Sequence, residues 1–138
     1  MSIMDGRTVC LCGRENTLLS LLKWILGEFK EINTIRQFDI LENLQRALES
    51  DTFDLLIMDT EMVGGPVFQF VKGLRESKPL LSTILIMSPT AKDEVMEIIR
   101  ANLAEGIIIK PFTKEVVSNY VEKLLRLKAA SRGASVNK

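Results

Sequence analysis

The chain contains no histidine, which removes imidazole from every catalytic scheme and metal site that could be drawn for it. It has two cysteines, Cys10 and Cys12, too few for the disulfide framework that staples small secreted domains. Two positions apart on a strand, they point to one face and are poorly placed to bond each other. A redox or metal pair stays open, but the reading adopted is two small core residues in a reducing cytosol. Net charge is also absent: 18 basic and 18 acidic side chains cancel, so nothing draws the chain generally to nucleic acid or to an anionic membrane. The seven basic and two acidic residues from Lys110 onward read as a helix C-terminus and a solvated tail, with no aromatic interleaving to suggest stacking on bases. No apolar run approaches the roughly 20 residues of a membrane span. The first seven residues carry Asp5 and Arg7 where a secretion signal has an apolar stretch. A cytoplasmic location without a membrane partner is the expectation.

What the chain does have is apolar material in a regular arrangement. Its 138 residues are 46% hydrophobic, enough for one sizeable core. Five strand-like runs alternate with five helix-like patterns. The strands are expected at 8–12, 33–38, 54–58, 83–87 and 107–109. The helices are expected at about 17–30, 40–49, 66–76, 92–104 and 113–128. Asn16 is the candidate N-cap of the first helix. Asp39 and Glu42 have the spacing of a capping box for the second, and Thr113 caps the fifth. Ile98, Ile99 and Leu103 of the fourth helix and Val116, Val117, Tyr120 and Val121 of the fifth are expected to face inward. Residues 1–7 read as an N-terminal extension, 8–128 as the domain and 129–138 as a tail or linker. Alternating strands and helices of these lengths imply a parallel sheet with right-handed crossovers and helices on both faces. The fold class is therefore α/β, a flavodoxin-like (βα)5 three-layer sandwich with strand order 2-1-3-4-5.

In such a sheet the chemistry gathers beyond the C-terminal strand ends, near strands one and three. Leu55-Leu56-Ile57-Met58 leads straight into Asp59, and strand four delivers Ser88. Strand five delivers Lys110, followed by Pro111 and Phe112. Strand one ends at Gly13, Arg14 and Glu15. Each residue alone has an ordinary explanation: Asp59 could cap a turn, Ser88 could satisfy a strand end, and Lys110 could be a surface lysine. Together, a carboxylate, a hydroxyl and an ammonium suit phosphoryl chemistry, in which the carboxylate attacks phosphorus and the other two stabilise the transferred oxygens.

With these residues in place the chain resembles the response-regulator receiver family, over about residues 8–128. The matching pieces are Leu-Ile-Met-Asp59, Ile-Met-Ser88 and Ile-Lys110-Pro111-Phe112, with Arg75 sixteen residues after Asp59. The resemblance implies that Asp59 accepts a phosphoryl group from a histidine kinase and that Ser88 and Lys110 read the modification. It also implies a cis Lys110–Pro111 bond and a role in a two-component phosphorelay. Three departures stand beside it. The family has two adjacent acidic residues at the end of strand one that hold Mg²⁺, and here Gly13 and Arg14 occupy those places. Glu15 lies one step beyond, so Asp59 and Glu15 are the only metal candidates. Ile107 stands at the switch position, where many receivers carry Tyr or Phe; it is shorter and stiff at χ1. Val63 replaces a family proline, and Gly64-Gly65-Pro66 reshapes the start of the third helix.

The expectation drawn from all this is a receiver-like signalling domain, not an enzyme, with weak or absent Mg²⁺-dependent phosphorylation. It would act mainly by binding a protein, a histidine kinase or downstream effector, at the face of helix four, strand five and helix five. A homodimer is left open. Two rivals remain: an ordinary phosphorylated regulator that recruits Glu15 to the metal through a one-residue bulge, and a haloacid-dehalogenase-like phosphatase. Asp59-Thr60-Glu61 echoes the second family, although its nucleophile belongs on strand one.

Overall fold

The computed structural model describes residues 6–126. The elements run β1 (Arg7–Cys12), α1 (Asn16–Leu26), β2 (Ile32–Phe38), α2 (Leu41–Ser50), β3 (Leu55–Asp59), α3 (Val67–Ser77), β4 (Ser82–Met87), α4 (Lys92–Ala101), β5 (Gly106–Ile109) and α5 (Lys114–Leu125). A single 3₁₀ turn, Thr60–Met62, joins β3 to the loop before α3. All five strands are parallel, in the order β2-β1-β3-β4-β5, as the alternating pattern requires.

Period-two alternation divides the core into two layers. Val9, Leu11, Leu55, Ile57, Ile84 and Ile86 point to one face and pack with α1 and α5. Their neighbours Cys10, Cys12, Leu56, Met58, Leu85 and Met87 point to the other and pack with α2, α3 and α4. Every residue of β3 is buried, because it lies mid-sheet under helices on both sides. The outer strand β2 has no fully buried residue, as befits an edge. Burying each large aliphatic side chain contributes about 1.5–3 kcal/mol, and these two layers hold the parallel ladder in register, apart from one shift between Arg7 and Thr8 where β1 meets β2.

Several local expectations are corrected. Asn16 is the first helical residue rather than the cap. Glu15 occupies the N-cap position and makes no side-chain capping bond. The capping box at Asp39 does not form: β2 continues to Phe38, a bend follows, and Ile40 sits at the N-cap of α2. The first helix ends at Leu26, four residues earlier than its pattern suggests, because Gly27 takes over as C-cap, a residue poor in helix propensity. Likewise α4 ends at Ala101, where Asn102 turns left-handed at φ 54°, a conformation asparagine tolerates. Ile99 is 56% exposed and Val116 is exposed too, so neither faces inward. Thr113 does cap α5, its hydroxyl accepting from the Val116 N–H at 3.4 Å. The tail expected at 129–138 and most of the extension expected at 1–7 lie outside the described residues, and no helix among those described is long and apolar enough to cross a membrane.

Candidate functional site

The ladder itself brings Asp59 to the C-terminal edge of the sheet. β3 is held by β1 on one side and by β4 on the other, with Met58 opposite Cys12 and Asp59 opposite Ile86. Asp59 is only 4% exposed, and each of its carboxylate oxygens accepts one hydrogen bond from the chain. One accepts from the backbone N–H of Glu61 at 3.0 Å, closing the 3₁₀ turn in the manner of an Asx turn. The other accepts from the Lys110 ammonium at 2.8 Å. Lys110 follows β5, and its own N–H donates to the Met87 carbonyl at 3.0 Å, which fixes the strand end from which the side chain reaches. The Lys110–Pro111 bond is cis.

Burial is the largest single influence on Lys110 and by itself would lower the ammonium's pKa. The Asp59 hydrogen bond and the charges of Asp59, Glu61 and Glu15 together outweigh it, and the net shift is upward. The stability this contributes is complete at neutral pH. It is lost only as pH rises beyond about 10.4, the lysine's unperturbed value, and through the raised value of the folded state.

Ser88 lies one residue past β4, at the same end of the sheet, but its hydroxyl is engaged locally. Its Oγ is 2.9 Å from the Thr90 hydroxyl and accepts the Thr90 N–H at 3.2 Å. Ile107 is half-buried in the layer beneath α4, and its carbonyl accepts a long bond from the Tyr120 hydroxyl at 3.5 Å. Arg75 belongs to the opposite end, where it pairs with Glu105 at 2.7 Å while the same carboxylate accepts the Thr83 N–H at the start of β4. Its place is structural.

The strand-one residues define the other wall. Gly13 donates its N–H to the Phe38 carbonyl at 3.1 Å. A Cβ built on it would stand 3.5 Å from the Asp59 Cβ, an ordinary contact, so a side chain at this position would lie directly against the acid. Arg14 and Glu15 line a hollow of about 330 Å³ together with Asp59, Glu61 and Met62. Neither side chain makes a hydrogen bond or ion pair among the described residues. A hollow of about 720 Å³ between α2 and α3, and one of about 390 Å³ lined by the segments that follow these two helices, include none of these groups.

Sequence reasoning missed two parts of this arrangement. Glu61 stands 3.7 Å from Lys110 through its carboxylate and binds Asp59 through its backbone. Its position two residues after an aspartate is the signal that could have revealed the turn. Thr90 answers Ser88 through the same short-range logic in Ser88-Pro89-Thr90.

A Mg²⁺ ion requires near-octahedral oxygen ligation from one or two carboxylates, waters and phosphate oxygens. Here Gly13 offers no side-chain oxygen and Arg14 brings a cation in the places next to Asp59 at the strand-one wall. No group of three or more acidic or cysteine side chains able to hold a metal occurs among the described residues. The strand-one ligand pair of the family is therefore missing from this pocket, and Asp59, Glu15 and Glu61 are the carboxylates that line it.

Comparison with known proteins adds an independent line. The model of the response regulator receiver domain matches residues 9–122. The chemotaxis protein CheY of Pseudomonas aeruginosa strain PAO1 is 26% identical over 111 residues, covering 79% of this chain and 88% of that protein. The crystal structure of an uncharacterized protein from Neptuniibacter caesariensis has a TM-score of 0.76 at 24% identity and covers 95% of this chain and 93% of that one. That of a response regulator receiver domain protein from Clostridium thermocellum has a TM-score of 0.73 at 17% identity, covering 87% and 94%; at these identities the likeness concerns the fold. Since the family match runs from β1 into α5 and the sheet has the order that the strand pattern demands, the chain belongs to the response regulator receiver domain family of two-component systems.

Proposed function

We propose that this receiver signals mainly by binding a protein and that Asp59, its candidate phosphoacceptor, takes up a phosphoryl group slowly or not at all when Mg²⁺ is the intended helper. One observation carries this reading: Gly13, with no side chain, and Arg14, a cation, stand at the strand-one wall beside Asp59, where the family keeps its metal ligands. Ser88 and Lys110 keep their supporting roles beside the acid in this reading. Ile107, being short and stiff, replaces the aromatic swing with a smaller adjustment.

The partner, a histidine kinase or a downstream effector, is assigned to the face made by α4, β5 and α5. Met96, Ile99, Ile109 and Val116 are exposed there on the edge strand and its two flanking helices, and neighbouring apolar side chains of this kind suit protein contact. Neither nucleic acid nor membrane contact is assigned to this domain.

The test is incubation with a small acyl phosphate and Mg²⁺, read by intact mass. The expected result is that Mg²⁺ brings little or no adduct beyond that formed in EDTA within the time an ordinary receiver needs. Rapid, stoichiometric, Mg²⁺-dependent addition of one phosphoryl group at Asp59 would overturn the proposal. That outcome would favour the ordinary regulator, whose one supporting observation is that Glu15 lines the same hollow as Asp59. Against it, the pairing of β1 with β3 is regular from Val9 to Cys12; the one irregularity of β1 lies at Arg7 and Thr8, far from Glu15. The phosphatase reading is set aside, because Asp59 ends the third strand and the family match is to receivers.

A further inference from the structure

We infer that Arg14 stands in for the divalent cation, so that the Asp59 pocket accepts a tetrahedral, phosphoryl-like anion on the carboxylate without any metal. The inference rests on Asp59 being the acceptor and deepens that reading.

Charge is the first ground. A pocket with two strand-one acids, the acceptor aspartate and the lysine carries three negative charges and one positive, and one Mg²⁺ brings the sum to zero. In this chain Asp59 and Glu15 are balanced by Lys110 and Arg14, and the sum is zero with no metal. Exchanging a carboxylate for a guanidinium changes the local charge by two units, the same as binding one divalent ion. Glu61, 3.7 Å from Lys110, adds a further negative charge, which leaves the five groups one unit short of neutral, against two units for the family pocket without its metal.

Geometry is the second ground. Arg14 borders the hollow into which Asp59 faces, and its guanidinium has no protein partner among the described residues. Its five N–H donors are therefore available. Their planar fork matches the oxygens of a phosphoryl group, and such charge-assisted bonds are about twice as strong as neutral ones. Lys110 already touches the acid from the β5 side, and the exposed Arg14 on the rim of the hollow is free to swing a second cation onto an anion seated on Asp59.

The test uses beryllium fluoride, in which the Asp59 oxygen displaces water from BeF₃(H₂O)⁻. An O–Be bond forms, water leaves, and no electron changes hands. Binding to the full chain is followed by ¹⁹F NMR in EDTA and again in Mg²⁺, for the natural protein, Arg14→Ala, Arg14→Lys and the double variant Gly13→Asp/Arg14→Asp. Arg14 is exposed, and thermal melts confirm that each variant folds. The natural protein is expected to bind in EDTA, with Mg²⁺ changing the affinity less than about twofold. Arg14→Ala should lose about tenfold or more, and Arg14→Lys should fall between the two. The double variant should bind only with Mg²⁺. Binding of the natural protein that requires Mg²⁺ would sink both this inference and the proposed function. Absence of binding in either buffer, or an Arg14→Ala protein that binds like the natural one in EDTA, would sink the inference alone and leave protein recognition standing.

Discussion

Replacing Lys110 by Met leaves the Asp59 carboxylate buried without its counter-ion. The two side chains touch at 2.8 Å, and the acid's side chain is 6% exposed against 23% for the lysine. Coulomb's law at an effective dielectric near 20 puts the gross attraction at about 6 kcal/mol. Removing one member of a buried pair costs about 3–5 kcal/mol, because the other stays desolvated. Lys110 is the more hydrated partner and the Glu61 N–H remains on Asp59, so the lower end applies, about 3 kcal/mol. That is a large share of the roughly 5–15 kcal/mol by which domains are stable. The opposite substitution, Asp59→Asn, should cost less than about 1 kcal/mol, since the freed ammonium can turn to water and to Glu61. Urea unfolding at pH 7 measures both. A Lys110→Met loss under about 1 kcal/mol at pH 7, or an Asp59→Asn loss as large as that of Lys110→Met, would refute the claim that a buried charge stripped of its partner sets the cost.

Two further outcomes are expected. Cys10 and Cys12 are free and buried with their sulfurs 3.8 Å apart, and the shared hydrogen bond, burial and the neighbouring thiol's charge push Cys12 far up from its ordinary pKa. A chromogenic disulfide reagent at pH 8 should therefore stay colourless with the native protein and report both thiols in denaturant, whereas prompt native reaction would mean that this layer opens readily. A Cβ on Gly73, inside α3, meets nothing within 4 Å, whereas one on Gly106 would come within 2.7 Å of the Tyr120 ring. Gly73→Ala should stabilise by about 0.5–1 kcal/mol and Gly106→Ala should destabilise by about 1–3 kcal/mol, and urea midpoints shifting in the same direction would contradict this.

The strands and the order of the sheet were legible because their signal is repetitive: apolar runs such as 55–58 and 107–109 leave few alternatives, and alternation with helices dictates parallel pairing. Asp59 and Lys110 were legible as a pair because each ends such a run. What escaped depends on single local choices. Gly27 and Asn102 end helices whose apolar periodicity continues beyond them, so the pattern overshot. Ile99 and Val116 lie at the margins of their apolar stripes, and hydrophobicity alone does not say which marginal positions a neighbouring element covers. The direction of a long charged side chain is not encoded by spacing either: Arg14 borders the hollow beside Asp59 yet stays exposed and makes no ion pair with it.

The regular pairing of β1 and β3 stops at Cys12 and Met58, so positions 13 and 14 lie just past the last rung. The acid is seated by the threading of the interior, and its neighbours across the gap are not. An exchange of electrostatic hardware at those two places leaves the scaffold's alignment untouched. A lineage could therefore trade a metal-dependent pocket for a guanidinium-lined one, or return, by point changes that the folding of the domain would scarcely register.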